Sequence, residues 1–568
     1  MKSLFKKLLT ALVLIVLISW ASTAILYAWL NADVMAARPW TIPQLLMDDR
    51  TGPMIMQRIQ AIGAGLGLLI FALIGFKVFT GSEKPYGDAR FATEKEIQKT
   101  NLRNNQGVVL GKKNGKFLVN DGQTHVLVTA PTGSGKGVGI VIPNLLSWNG
   151  SAVVLDVKGE NCQITSGFRK DSGQNIIVFS PLSGATHRYN PFDQIIALPK
   201  ERRLTALQNM ANTLLPDPER GEAVWAQQGR ALLVGLSLYL LDAPDRDATL
   251  GELLRHLQTE QETTEICKVI IADYRDILDP ASIRALANFS QQEKKLAESV
   301  KLGLVGALSL WENPLVDAAT SATDFDINAL RREPTTIYIV VGISDMRTLR
   351  PLIKLFIEQI YSAQLRHEPQ EDEPHKVLFL LDEFESLGTM TSVVDNLPFV
   401  RSYAVRMMLI IQGLTQLDQR YGDAGREKIL QSSAHQIYFA SNDMKTTQYI
   451  STRLGQKTIK SKSQSYSVGG NRSRSQSSMG RSLMMPQEVS RLPADEQIIL
   501  VEGQYPVKAN KVRYYDDSAF KKRLGFDPVE APKITAVSKP SPVFETEVID
   551  KETEDKIANM ANDLENFI

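Results

Sequence analysis

Short apolar, β-branched runs recur along the middle of the chain, at residues 125–130, 152–157, 176–179, 336–342, 377–381, 406–411 and 436–440. Runs of this length and makeup predict buried strands. Most are followed by apolar residues at helical spacing, such as Leu349, Ile353, Phe356 and Ile360. Strand–helix alternation predicts an α/β fold with a mostly parallel sheet covered by helices on both faces. The rhythm breaks between about Pro191 and Arg332, where stretches such as 225–241 and 249–257 read as helices. An all-α domain inserted between the third and fourth strands is the simplest account.

Two uncharged runs precede this part, at 8–30 and 59–76. Each is long enough to cross a hydrocarbon core, and the first exceeds the apolar stretch of a cleaved signal peptide. The first starts after Lys2, Lys6 and Lys7 and carries Trp20, Tyr27 and Trp29; the second holds the small-residue pair Gly63 and Gly67 and ends at Lys77. Lysines and arginines outside both runs place the two ends of the anchor in the cytoplasm. The expected organisation is a two-helix transmembrane anchor (1–80), the first part of a nucleotide-binding domain (81–190), the all-α domain (191–332), the second part of the nucleotide-binding domain (333–527) and an acidic, disordered tail (528–568). Residues 460–481 fit two readings equally. They are a Ser/Arg/Lys-rich linker, or a polar β-hairpin whose alternating serines flank a Gly469-Gly470-Asn471 turn.

The 568 residues are 43% hydrophobic and 22% charged, with a net charge of +1. That balance is ordinary for a globular protein, so any basic surface is local, such as a channel lining. The two cysteines, Cys162 and Cys267, are far apart, and the six histidines show no ligand spacing. A disulfide framework or structural metal is therefore not expected, and a reducing compartment fits.

The main chemical signal is His125-Val-Leu-Val-Thr-Ala-Pro-Thr-Gly-Ser-Gly-Lys136-Gly-Val-Gly. A strand running into a glycine-rich loop and then a helix lets backbone N–H groups point at phosphate oxygens. Thr132, Gly133, Ser134, Gly135, Lys136, Gly137 and Val138 form the expected ATP-binding loop, with Lys136 reaching the β- and γ-phosphates. Ala130 replaces the first glycine of the strict pattern, and Gly137 stands where a Ser or Thr hydroxyl usually binds Mg²⁺. Water, Thr132 or Ser134 are the candidates to fill that place. A second apolar strand ends in Asp382-Glu383. Asp382 is expected to hold the Mg²⁺ shell, directly or through water, and Glu383 to orient the attacking water. Gln412 closes a third strand as a candidate γ-phosphate sensor, with a capping role as the alternative. Arg401 and Arg406 are both candidates for an arginine finger, against a surface salt bridge for either.

In combination, residues 130–139, Leu155-Asp-Val-Lys-Gly-Glu160, Leu380-Leu-Asp-Glu-Phe-Glu-Ser-Leu-Gly388, Ile411-Gln-Gly-Leu-Thr-Gln-Leu417 and Ser441-Asn-Asp443 with Lys445-Thr446 resemble the TraG/TraD-type coupling proteins of bacterial type IV secretion and conjugation. The resemblance runs from the anchor to about Tyr515. It implies a RecA-like P-loop ATPase domain interrupted by the all-α domain, assembled as a homo-hexamer in the bacterial inner membrane. It also implies delivery of a relaxase–DNA complex, single-stranded DNA or effector proteins to the type IV secretion channel. By the family's spacing Arg401 is the better finger candidate, and the Lys-Gly pair at 136–137 is typical of this branch. Asp156 is expected to support the site. The rival reading is an ATP-gated receptor without motor activity. A duplex-DNA pump would need a winged-helix module after the motor, and no such segment is legible.

Overall fold

The computed structural model describes residues 2–48, 50–65, 85–218, 224–466, 472–536 and 539–544. By contacts the chain forms two compact units: 1–87 with 458–480, and 88–457 with 481–568.

The larger unit is built on an eleven-stranded sheet. It begins with β1 (Val108–Lys113) and β2 (Lys116–Asn120), an antiparallel pair. Next come β3 (Val126–Thr129), β4 (Ser151–Asp156), β5 (Asn175–Phe179), β6 (Thr335–Val340), β7 (Val377–Leu381), β8 (Val405–Ile411) and β9 (His435–Tyr438). These seven match the seven apolar runs, and they pair in parallel in the order β9-β3-β8-β7-β4-β6-β5. β3, β4, β7 and β8 are buried along their whole length. Helices cover both faces, which is why their sequences read as unbroken apolar runs rather than alternating ones.

After β10 (Gln456–Tyr466) and β11 (Arg472–Ser482), β12 (Glu496–Val501) and β13 (Val507–Asn510) extend the sheet past β9 in antiparallel fashion, in the order β12-β13-β1-β2. The apolar runs did not predict these four strands. β1 is broken by Gly111-Lys112-Lys113, and β13 buries only alternate residues.

Between β5 and β6 the described chain is helical, from Asp193–Ile196 through Val224–Asp242, Leu250–Leu257, Thr263–Tyr274 and Lys294–Leu308 to Ile327–Arg331. Its core is continuous with one face of the sheet. Leu236, Leu254, Ile270 and Leu304 share a buried cluster with Val153, Ile177, Ile337 and Phe379. The opposite face packs Ile140, Leu145, Val154, Tyr338, Leu380 and Met408. The helical segment is therefore part of the same compact unit as the sheet and roofs one of its faces.

β10 and β11 pair as a separate two-stranded sheet, so residues 456–482 take the hairpin reading; its Gly-Gly-Asn tip lies outside the described residues. In the smaller unit, the helix Lys2–Trp29 contains nearly all of the first uncharged run. Leu26 packs with Ile59 and Ile62 in a small buried cluster. The second run is described only to Gly65. Among the described residues no helix is long and apolar enough to cross a membrane.

The tail departs from its expectation. From 528 to 544 its described residues lie against the larger unit instead of being disordered. Val529 N–H donates to Ser166 Oγ at 3.0 Å, Thr186 N–H to the Pro532 carbonyl at 2.8 Å and Ile534 N–H to the Gly184 carbonyl at 2.9 Å. The apolar residues Val529, Ala531 and Phe544 supply the burial that offsets the ordering. The acidic stretch after Phe544 lies outside the described residues.

Candidate functional site

Parallel strands bring their C-terminal ends to one edge, where ligands bind in sheets of this kind. Here β8 lies between β3 and β7, so the phosphate loop, Gln412 and the acidic pair meet at that edge. The loop leaves β3 with Ala130 N–H bonded to the Ile411 carbonyl at 2.8 Å, which ties it to the strand that carries Gln412. Gly133 and Gly135 take φ of +75° and +86°, a region that favours glycine. Nothing lies within 4 Å of a Cβ built on either one, so backbone conformation and not crowding calls for glycine there.

Lys136 is the hub. Its Nζ lies 3.0 Å from Asp382 Oδ1 and is also paired with Glu383 Oε1. Burial works against the ammonium, but Asp382 and Glu383 more than offset it and raise its pKa. Two acids share this one ammonium. Burial consequently still raises the Asp382 carboxyl's pKa, against the pull of Lys136. Glu383 sits at φ +53°, ψ +50°, a left-handed conformation that is strained for a residue with a side chain. The turn is fixed by Glu383 N–H donating to Asp382 Oδ1 at 3.0 Å and Ser386 N–H to the Glu383 carbonyl at 2.8 Å.

The other Glu383 oxygen, Oε2, accepts from Gln412 Nε2 at 2.9 Å. Gln416 extends the chain of bonds: its Oε1 accepts from Gln412 N–H at 2.9 Å, and its Nε2 donates to Glu385 Oε1 at 2.9 Å. Burial, and then the neighbouring Glu383, raise the Glu385 pKa. Glu385 Oε2 and Ser386 Oγ are buried without a hydrogen-bond partner among the described residues.

Asp156 serves the site from behind. It accepts from Gly159 N–H at 2.9 Å and Cys162 N–H at 2.8 Å, fixing the start of the helix Glu160–Asp171. Asp443 does the same on the other side. It caps Met444–Leu454 and accepts from Thr415 Oγ1 at 2.7 Å, while Thr446 Oγ1 accepts from Leu414 N–H at 2.9 Å. The Ser441–Thr446 motif thus anchors the helix that follows Gln412.

Both arginines lie at the other end of β8, away from this edge. Arg406 is 1% exposed and donates to the Asn120 carbonyl at 2.9 Å and to Asn120 Oδ1 at 3.0 Å; it is a buried structural residue, neither a finger nor a surface salt bridge. Among the described residues Arg401 donates to the Ser432 carbonyl at 3.5 Å, and its Nε has no partner there. It is not brought to the sheet edge that carries the glycine loop and the acidic pair.

Lys511 escaped the sequence reading. Its Nζ donates to the Ser134 carbonyl at 3.1 Å and lies 3.7 Å from the Phe439 ring centroid. Burial lowers its pKa to about 8, against the pull of Asp495. It follows the antiparallel strand β13, and no local pattern marks it. Gln416 and Glu385 lay within recognised motifs, but their bonding depends on the approach of β7 and β8.

The residues present fit Mg–ATP in kind: a glycine loop with a lysine, and a carboxylate, Asp382, at the neighbouring strand end that could hold a divalent cation. Thr132, Ser134, Gly137 and Val138 lie on the loop or its helix, and Gly137 adds no hydroxyl ligand.

The family model for type IV secretory system conjugative DNA transfer matches residues 89–536. The chain is 33% identical over 517 residues to Protein VirD4 of Rhizobium radiobacter, covering 88% of this chain and 74% of that one. It is 31% identical over 519 residues to the conjugal transfer protein TraG of Escherichia coli, covering 81% of each. Its fold is similar, with a TM-score of 0.55 and 19% identity, to the plasmid coupling protein TrwB in complex with ADP and Mg²⁺, covering 76% of this chain and 95% of that one. The family match over residues 89–536 and the VirD4 and TraG relatives show that the chain belongs to the coupling proteins of type IV secretion and conjugative DNA transfer.

Proposed function

We propose that this chain is an ATPase of the bacterial inner membrane that drives delivery of a relaxase–DNA complex or effector proteins to a type IV secretion channel. The observation that carries the reading is the Lys136–Glu383–Gln412 chain of contacts, which links phosphate loop, base and sensor. When ATP enters, backbone N–H groups of Thr132–Val138 receive its phosphates, and Lys136 exchanges its two carboxylates for β- and γ-phosphate oxygens. Release of Lys136 frees Glu383 to accept a proton from the attacking water, while Gln412 keeps its second oxygen oriented. Asp382 would hold Mg²⁺, directly or through water, and the bound ion would supply charge neutralisation on the phosphates.

Loss of the γ-phosphate returns Lys136 to the acids. The change at Gln412 passes through Gln416 and Asp443 into the helices Leu414–Ser432 and Met444–Leu454. Arg401 acts in a neighbouring subunit of a homo-hexamer, because its own nucleotide edge is at the far end of β8. The two uncharged runs at 8–30 and 59–76 form the two-pass anchor, with both termini in the cytoplasm.

ATP hydrolysis by the full-length chain, with and without single-stranded DNA, tests this reading. Stimulated turnover that Lys136→Thr and Glu383→Gln abolish supports the motor. Nucleotide binding without turnover supports a receptor that ATP merely licenses.

A further inference from the structure

The tail ends its described course in a pocket of the helical segment. Phe544 is 6% exposed, while its neighbour Val543 is 83% exposed, so one side chain inserts as an anchor. The Gln261 amide grips the Phe544 backbone on both sides. Its Nε2 donates to the Phe544 carbonyl at 2.7 Å, and its Oε1 accepts from Phe544 N–H at 3.3 Å. A side-chain amide paired with both backbone groups of one residue holds an extended peptide regardless of its sequence. The preceding residues, Lys539-Pro540-Ser541-Pro542, favour an extended chain before it docks, which lowers the entropy lost on binding.

The present occupant leaves two neighbouring polar atoms without a partner, His256 Nε2 and the Tyr239 hydroxyl. His256 packs edge-on against Phe544, with ring centroids 5.3 Å apart, and against Tyr239 at 5.6 Å. Its Nδ1 lies 2.9 Å from the Glu252 carbonyl and must donate there, so Nε2 carries the lone pair. That Nε2 has no partner, although His256 is only 2% exposed. Phenylalanine fills the volume but has no donor for it, and a phenol has one.

We propose that the His256–Gln261 pocket is a peptide-docking site, held in cis by the chain's own tail, whose ligand is an extended, proline-flanked segment of a partner protein carrying a tyrosine. The tail acts as a stand-in that a better-matched segment displaces. This goes beyond the ATPase reading and does not depend on it.

The test uses fluorescently labelled peptides of sequence 539–548, with Phe, Tyr or Ala at position 544, titrated into the full-length Phe544→Ala chain. The Phe and Tyr peptides should bind, with Tyr about fivefold tighter, and the Ala peptide should not. Wild type, its pocket filled, should bind each more weakly than the variant. His256→Phe introduced beside Phe544→Ala should keep binding but equalise Phe and Tyr. Absence of binding, equal affinity for the Phe and Tyr peptides, or a Tyr preference that survives His256→Phe would each overturn the proposal. A second variant avoids emptying the pocket: Phe544→Tyr in the intact chain should slow proteolysis of the 539–544 segment by a similar factor. An unchanged rate would count equally against it.

Discussion

Gln412 donates its side-chain amide to Glu383 across the gap between two neighbouring strand ends, at 2.9 Å. That bond makes Gln412 part of the geometry of Glu383, the base in the proposed hydrolysis. Gln412→Ala should lower kcat by about a hundredfold while KM stays within about twofold, because ground-state binding rests on the phosphate loop. Steady-state hydrolysis at saturating and limiting ATP separates the two constants. A rise in KM alone would show that Gln412 only binds nucleotide.

Lys511 braces the loop from outside through the Ser134 carbonyl. Lys511→Met keeps the apolar stem over Phe439 and removes the donor. One such bond is worth about 1 kcal/mol, so nucleotide affinity should fall about fivefold with little change in melting temperature. Equilibrium nucleotide titration of the full chain measures it, and unchanged affinity would show the contact to be incidental.

The loop glycines are not equivalent. Gly137 takes a helical conformation with open space at its Cβ position, whereas Gly135 is at φ +86°. Gly137→Ser should fold normally and lower the Mg²⁺ concentration needed for half-maximal hydrolysis, since it restores the missing hydroxyl. Gly135→Ala should cost about 1–2 kcal/mol and weaken nucleotide binding sharply. Thermal melts with Mg²⁺ titrations distinguish them.

His125 sets an acid limit on stability. Its Nδ1 accepts from Met407 N–H at 3.1 Å and its Nε2 donates to the Leu397 carbonyl at 2.9 Å, so the ring is held neutral. Burial lowers its pKa to about 4 from the ordinary 6.5, against the bond to Leu397. Between those values the unfolded chain binds more protons than the folded one, so stability falls as pH drops from about 6.5 to 4. The slope is at most about 1.4 kcal/mol per pH unit for this residue. Urea unfolding at pH 7 and pH 5 should show the loss, and His125→Gln should reduce it by this residue's share, the rest coming from buried histidines such as His435, whose pKa burial lowers to about 3. A flat wild-type profile would contradict the assignment.

The seven parallel strands were legible because burial on both faces writes itself as continuous apolar runs. The acids at 382–383 and the loop at 130–139 marked the candidate site through their residue types and the apolar strands before them, despite the mismatches at Ala130 and Gly137. Strands β1 and β13 were hidden because they carry glycine, lysine or alternating burial, whereas β12, with the buried run Ile498-Ile499-Leu500, carries the same signal as the parallel strands and was passed over. Arg406 read as a finger candidate because sequence position cannot distinguish a side chain buried against Asn120 from one that is free. Phe544 and Lys511 were invisible for a related reason: each gains its role only from chain folded hundreds of residues away. The tail's acidity dominated its composition, and one aromatic with two prolines was enough to dock its first part.

The motor reading turns on whether hydrolysis, rather than binding, delivers substrate. Glu383→Gln keeps the loop, Lys136 and Gln412 and removes only the base. Its direct test is substrate transfer by cells carrying this variant, measured beside nucleotide binding and hydrolysis by the purified full-length chain. The expected result is retained binding, with hydrolysis and transfer both lost. Full transfer with hydrolysis abolished would contradict the motor and leave the chain an ATP-gated receptor.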